Sequence, residues 1–196
     1  MNLIAKKKFW IFDMDGTLTV AVHDFPAIKR ELGTPQDLDI LHGISLMSEE
    51  EAMRAQERLQ EIEFRLASIG RAAAGTMELL DTLAANNCYL GILTRNTLIN
   101  TLETLRAANL KNYFPDSHIV SRDHAEPKPS PDGIHILLDK WKASPNDAVM
   151  VGDYIFDLEA GNRAGLHTIY VDPTGEFVFR DHASHCVKQL DEVLKI

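Results

Sequence analysis

"FWIFDMDGTL" occupies residues 9–18. Four apolar residues, Phe9 to Phe12, have the length and aromatic content of a buried strand. Asp13 and Asp15 follow, with only Met14 between them. Residues two apart in a strand point the same way, so a strand continuing through Asp15 puts both carboxylates on one side of its carboxyl end. Gly16 then permits a sharp turn and Thr17 offers a hydroxyl. Two like charges beside an apolar strand repel each other and resist burial. A plain polar turn would also use Asp and Gly, so the decision rests on what lies at the other strand ends.

Working outward, apolar runs alternate with helical patterns. "CYLGILT" (88–94), "SHIVS" (117–121), "DAVMVGD" (147–153) and "HTIYVD" (167–172) each read as a strand that runs into polar residues. Between them, "TMELLDTLAAN", "TLINTLETLRAAN", "PDGIHILLDKWK" and "FDLEAGNRAG" read as helices, the first with Thr76 as N-cap. Strand and helix in alternation predict an α/β fold, with a mostly parallel five-stranded sheet and helices on both faces. A ligand of such a sheet sits beyond the carboxyl ends of its strands.

Residues 21–74 break the alternation, for they contain no good strand. "FPAIKRELG" reads as a short helix ending at Gly33, and "SEEEAMRAQERLQEIEFRLASIG" as a long one. Ser48 and Glu51 form a capping-box pattern, and Gly70 can stop the helix. Leu59, Ile62, Leu66 and Ile69 recur at helical steps on one face. A crossover needs only about a dozen residues, so 21–74 is expected to be a small α-helical cap inserted after the first strand. The core is then 1–20 and 75–196. "LHGISLM" (41–47) is expected to be a loop of the cap facing the site.

The chain has 196 residues, 45% hydrophobic and 25% charged, and a formal net charge of −9. That acidity argues against nucleic acid and anionic membranes as partners, since both need a basic surface. It leaves room for a small anionic substrate held at a local positive site. Two cysteines suggest neither a disulfide framework nor a zinc cluster. No run approaches a membrane span or a signal segment, and a cytoplasmic location is the default expectation. "HASHC" (182–186) reads as a solvated tail, and Arg95, Arg122 and Arg163 read first as surface charges, with reach to a substrate as the alternative.

The remaining strand ends tip the balance. Thr94 closes the second strand, where a helix cap and an anion site coincide. Lys128 stands between two prolines in "AEPKPSPDG", in a stiffened loop. Asp153 and Asp157 follow the fourth strand in "VMVGDYIFDLEAG". Taken together, "DMDGT", "LTRN", "KPSP" and "GDYIFD", in this order across nearly the whole chain, resemble the four motifs of the haloacid dehalogenase superfamily. The branch resembled carries its cap between the first two motifs, as do phosphoglycolate phosphatases and β-phosphoglucomutases.

That resemblance implies a Rossmann-like core and a Mg²⁺-dependent phosphoric monoester hydrolase acting on a small phosphorylated metabolite. It implies Asp13 as nucleophile, forming an aspartyl-phosphate, and Asp15 as acid/base. Thr94, Lys128 and the main-chain N–H groups of Met14 and Asn96 would hold the phosphate. Asp13, the Asp15 carbonyl and Asp153 would bind Mg²⁺, with Asp157 supporting from nearby. The resembled dehalogenases lack the second aspartate and need no metal, so Asp15 and Asp153 favour phosphoryl transfer. A phosphomutase of the β-phosphoglucomutase kind, or a catalytically weak phosphate-binding regulatory protein, stands as the alternative. A monomer, or at most a dimer, is expected. The opening pair then makes sense electrostatically. A dianionic phosphate about 4 Å from one carboxylate meets roughly 8 kcal/mol of repulsion at an effective dielectric near 20, which a divalent cation and a lysine would offset.

Overall fold

The computed structural model describes residues 3–196. Six parallel strands form one sheet: β1 (Phe9–Phe12), β2 (Tyr89–Leu93), β3 (Ile119–Val120), β4 (Ala148–Gly152), β5 (His167–Val171) and β6 (His185–Val187). Their spatial order is β3-β2-β1-β4-β5-β6, with β1 central between β2 and β4. The sheet therefore has six strands rather than the expected five. The sixth overlaps the end of the segment read as a solvated tail. It pairs with β5 through Tyr170↔Cys186 and Val171↔Val187 and buries only Val187 fully. Three residues with one apolar anchor give no periodic signal, so its strand character comes from the neighbour.

The period of two in β1 builds both faces. Trp10, Phe12 and Met14 enter one core with Leu79, Leu80, Leu83 and Leu105. These come from α5 (Thr76–Ala85) and α6 (Leu98–Ala107). Ile11 points the other way, into a second core with Ile134, Leu137, Leu138 and Ala160. Those belong to α7 (Asp132–Trp141) and α8 (Ile155–Arg163). A four-residue helix, α1 (Leu3–Lys6), precedes β1, and the Leu3 N–H donates to the Ile196 carbonyl at 2.7 Å.

The segment after β1 carries three helices joined by loops: α2 (Phe25–Leu32), α3 (Ile40–Ser45) and α4 (Glu49–Ser68). It has its own apolar cluster of Ile28, Leu32, Ile44, Ala55, Leu59 and Ile62. The expected loop at 41–47 is mostly helix α3, started by the Asp39 carboxylate accepting from the Leu41 N–H at 3.0 Å. The capping box forms, with the Ser48 N–H and hydroxyl both donating to Glu51. Ile69 departs from the expected stripe. The helix ends at Ser68, and Ile69 is 54% exposed.

The chain leaves and re-enters the core side by side. Val20 N–H donates to the Arg71 carbonyl at 3.0 Å, and Ala73 N–H to the Leu18 carbonyl at 2.9 Å. The Thr76 hydroxyl also donates to Leu18, at 3.0 Å, instead of capping α5 as expected. Gly75 occupies the N-cap position. The junction thus takes the hydroxyl that sequence reading assigned to a helix end.

Candidate active site

The strand β1 stops at Phe12, but Asp13 keeps its ladder bond, donating N–H to the Val151 carbonyl at 2.9 Å. The turn begins at once. The Met14 carbonyl accepts from the Thr17 and Thr19 N–H groups and from the Thr19 hydroxyl. Gly16 has φ +89, and a Cβ there would collide with the Asp153 carboxylate. Glycine is therefore needed twice, for a left-handed turn and for close approach. The turn sends the two carboxylates to different partners instead of aligning them in one strand.

Asp13 is buried, and Lys128 Nζ hydrogen-bonds it directly. The same ammonium lies 2.6 Å from Asp157 Oδ1. Lys128 is only 4% exposed, which overrides the ordinary preference of lysine for solvent. Its loop is buttressed by Arg163, which donates to the Pro129 carbonyl at 3.0 Å. Asp153 accepts from the Thr17 hydroxyl at 3.1 Å. Asp157 accepts from the Tyr154 N–H at 3.0 Å, and a Cβ at Gly152 would collide with it. Carboxylate oxygens of Asp13, Asp153 and Asp157 all lie within 4.8 Å of one another.

Three carboxylates around one ammonium are short of positive charge. Burial, outweighing the attraction of Lys128, raises Asp13 above the usual carboxylate range. Burial and the neighbouring Asp13 and Asp157 push Asp153 up to about 8. Burial against Lys128 leaves Asp157 at about 6. The attraction of Asp13 and Asp157 overcomes burial at Lys128 and keeps it charged. An all-oxygen donor set with surplus negative charge suits a hard divalent cation such as Mg²⁺, which takes one or two carboxylates and keeps several waters. Asp13, Asp153 and Asp157 together could hold such a cation, and Asp157 is also engaged by Lys128 and Tyr154.

The pKa shifts set a stability test. Between the ordinary Asp range near 4 and about 8, folded metal-free protein binds more protons at Asp153 than the unfolded chain does, so stability falls as pH rises through that window. His167, lowered to about 4 mainly by burial, acts oppositely up to its ordinary value of 6.5. The clean window is therefore roughly pH 6.5 to 8. In EDTA, the melting temperature is expected to fall across it. Mg²⁺ is expected to raise it, more at the upper end, and Asp153→Asn to weaken both effects. Equal Mg²⁺ shifts in wild type and Asp153→Asn would remove Asp153 from the cation site.

Asp15 stands apart from Lys128. Its Oδ2 accepts from Asn96 Nδ2 at 2.5 Å. Asn96 N–H is engaged by Thr94 Oγ1 at 3.1 Å, and the Asn96 carbonyl accepts from the Arg122 N–H at 3.0 Å. Thr94 is buried at the end of β2 with its hydroxyl proton free to donate. Sequence reading gave Asn96 a main-chain role toward phosphate. The structure instead engages that amide with Thr94 and turns the side chain onto Asp15, a contact across 81 residues with no local signature.

Arg95 is a half-exposed surface charge, over the Phe156 ring at 5.5 Å and 3.7 Å from Asp39. Arg122 corrects the surface reading. It is part-buried and grips Glu63 of α4 with both terminal nitrogens, at 3.2 and 3.1 Å. Asn100 of α6 donates to the same carboxylate at 3.0 Å. This cluster joins the helical segment to the core beside Asp15.

Residues 10–171 match the family model described as haloacid dehalogenase-like hydrolase. A haloacid dehalogenase-like hydrolase domain-containing protein of Arabidopsis thaliana is 32% identical over 179 residues, covering 85% of this chain and 71% of that protein. The N-acetylmuramic acid 6-phosphate phosphatase of Pseudomonas aeruginosa is 26% identical over 217 residues, covering 94% and 95%. The crystal structure of a hydrolase from Pseudomonas syringae superposes with a TM-score of 0.77 at 26% identity, over 96% of this chain and 97% of that one. With the motif residues gathered beyond the carboxyl ends of the central strands, the chain belongs to the haloacid dehalogenase-like hydrolase family.

Proposed function

We propose that this enzyme is a Mg²⁺-dependent phosphomonoester hydrolase that works through an aspartyl-phosphate on Asp13. The observation that carries the reading is the division between the two carboxylates. Asp13 is clamped by Lys128 beside the acidic cluster, whereas Asp15 is held by a neutral amide. A nucleophile should sit among the charges that tolerate a phosphate dianion, and a proton carrier should sit apart from them. The family membership and the phosphatase among the relatives support the same class. The helical segment, 21–74, serves as the cap, closing over the strand ends to exclude water.

In the first step an Asp13 oxygen attacks phosphorus and the bond from phosphorus to the leaving oxygen breaks. Asp15 gives its proton to the departing alkoxide. In the second step Asp15, now ionised, takes a proton from water as that water attacks phosphorus, and the bond to Asp13 breaks. Lys128 and the Thr94 hydroxyl donate to phosphate oxygens throughout. Mg²⁺, when bound, supplies the divalent charge that lets anion meet anion. Asn96 keeps Asp15 aimed at the leaving oxygen.

Purified protein with Mg²⁺, tested against a panel of phosphorylated metabolites, should release inorganic phosphate from at least one. Isomerised product without phosphate would indicate a mutase, and no turnover on any substrate would contradict the reading. Asn96→Ala, which leaves Asp15 unheld, is expected to lower turnover of an alkyl phosphate about 10- to 100-fold. The loss should fall on kcat more than on KM, because Asp15 acts on the departing oxygen and not on ground-state binding. Wild-type kinetics in this variant would mean that Asp15 needs no such support.

A further inference from the structure

Arg95 stands in the chain between two residues of the site, Thr94 and Asn96. It is rooted just past the end of β2, and its guanidinium carbon lies 5.5 Å from the centre of the Phe156 ring. Phe156 follows β4 and immediately precedes Asp157. The strand order puts β1 between β2 and β4. The side chain therefore crosses above the carboxyl end of β1, where Lys128 gathers Asp13 and Asp157. Those three residues are buried, whereas the Arg95 side chain is 48% exposed, so it lies on their solvent side.

The other cations around these strand ends are committed. Lys128 is held by Asp13 and Asp157, Arg122 by Glu63, and Arg163 by Glu159 and the Pro129 carbonyl. Arg95 is not. Among the described residues its guanidinium makes no hydrogen bond, and its ion pair with Asp39 is 3.7 Å long. That distance is too great for a hydrogen bond, and both partners are about half exposed, so the pair contributes little. Asp39 belongs to the helical segment. Its Oδ1 accepts from the Leu41 N–H at the start of α3, and its Oδ2 faces Arg95. A carboxylate thus already stands opposite the guanidinium, loosely enough to be exchanged for another.

We infer that Arg95 receives a second acidic group, a carboxylate or a second phosphate, on the leaving part of the substrate. The inference rests on the phosphatase reading above and narrows it to a substrate class. The Phe156 ring supports the guanidinium, and its unspent N–H groups form the fork that matches either acid in two parallel hydrogen bonds. A chain of net charge −9 repels a multiply charged anion in general. A free cation at the mouth reverses that repulsion locally, and only for a substrate that carries the second charge. An uncharged leaving group has nothing with which to displace Asp39.

The test uses two matched pairs, each differing by one acidic group: 3-phosphoglycerate against glycerol 3-phosphate, and fructose 1,6-bisphosphate against fructose 6-phosphate. Wild-type kcat/KM is expected to favour the acidic member of at least one pair by about tenfold or more. The pair that shows the preference tells carboxylate from phosphate. Arg95→Gln should cut the preference about tenfold, mainly by raising KM for the acidic member, and Arg95→Lys should restore it only in part, since an ammonium lacks the fork. Asp39→Asn still caps α3 but no longer competes for the guanidinium, so it should raise the preference about two- to fivefold. Opposite movements in the two variants are a result that a merely structural pair would not give. Release of nitrophenolate from p-nitrophenyl phosphate and an unchanged circular dichroism spectrum report that each variant is folded. No preference for the acidic member of either pair in the wild type would overturn the substrate class while leaving the phosphatase reading intact. An unchanged preference in folded Arg95→Gln would overturn the role of Arg95. Failure on every substrate, p-nitrophenyl phosphate included, would overturn the phosphatase reading and this inference with it.

Discussion

Asp13→Asn is expected to abolish turnover, by on the order of 10⁴-fold or more, without unfolding the protein. Asparagine fills the same space but cannot attack phosphorus. The backbone bond from residue 13 to the Val151 carbonyl does not involve the side chain and survives. Stability should hold or rise. Burial holds Asp13 above the usual carboxylate range, so its charge is a cost to the fold rather than a support. Lys128 keeps Asp157 as its partner at 2.6 Å. Phosphate release and thermal melting, measured on the same preparation, give the answer. A large loss of activity at an equal or higher melting temperature is the signature of a group kept for chemistry. Activity near the wild-type level would contradict the assignment.

Asp15→Asn should separate the two steps of the reaction. A proton matters most when the leaving alkoxide is basic. Nitrophenolate leaves without help, whereas an alkyl alkoxide does not. The substitution should therefore slow hydrolysis of an alkyl phosphate by roughly 10²- to 10⁴-fold. The first step with p-nitrophenyl phosphate should suffer far less. The second step also needs Asp15, to activate water, so nitrophenolate should appear in a burst followed by a slow phase. Equal slowing for both substrates, without a burst, would mean that Asp15 only shapes the turn after β1.

Much of this site could be read from residues 9–18 outward, because its parts lie at strand ends and strands announce themselves by apolar runs. Asp13, Thr94 and Asp153 follow β1, β2 and β4, and the parallel order of the sheet brings those ends together. Lys128 was legible as a lysine in a stiff loop, although its near-complete burial between two carboxylates was not. What escaped the sequence is contact that no periodicity encodes. Asn96 reaches Asp15 across 81 residues, and Arg122 reaches Glu63 across 59. Arginine and asparagine are ordinary surface residues unless a partner arrives from elsewhere in the fold. The edge strand β6 failed for a related reason, since three residues paired to β5 owe their conformation to that neighbour. Ile69 shows the opposite error. Its spacing continued the helical stripe, but the helix had already ended at Ser68.

Asp15→Asn also offers the most direct test of the central claim, that phosphate passes through Asp13. The variant should be mixed with p-nitrophenyl phosphate and Mg²⁺, quenched in acid within the burst, and examined by intact and peptide mass spectrometry. The account predicts one phosphoryl group per chain, located on Asp13 and absent from the double variant that also carries Asp13→Asn. A burst with no adduct, or an adduct on any other residue, would contradict it.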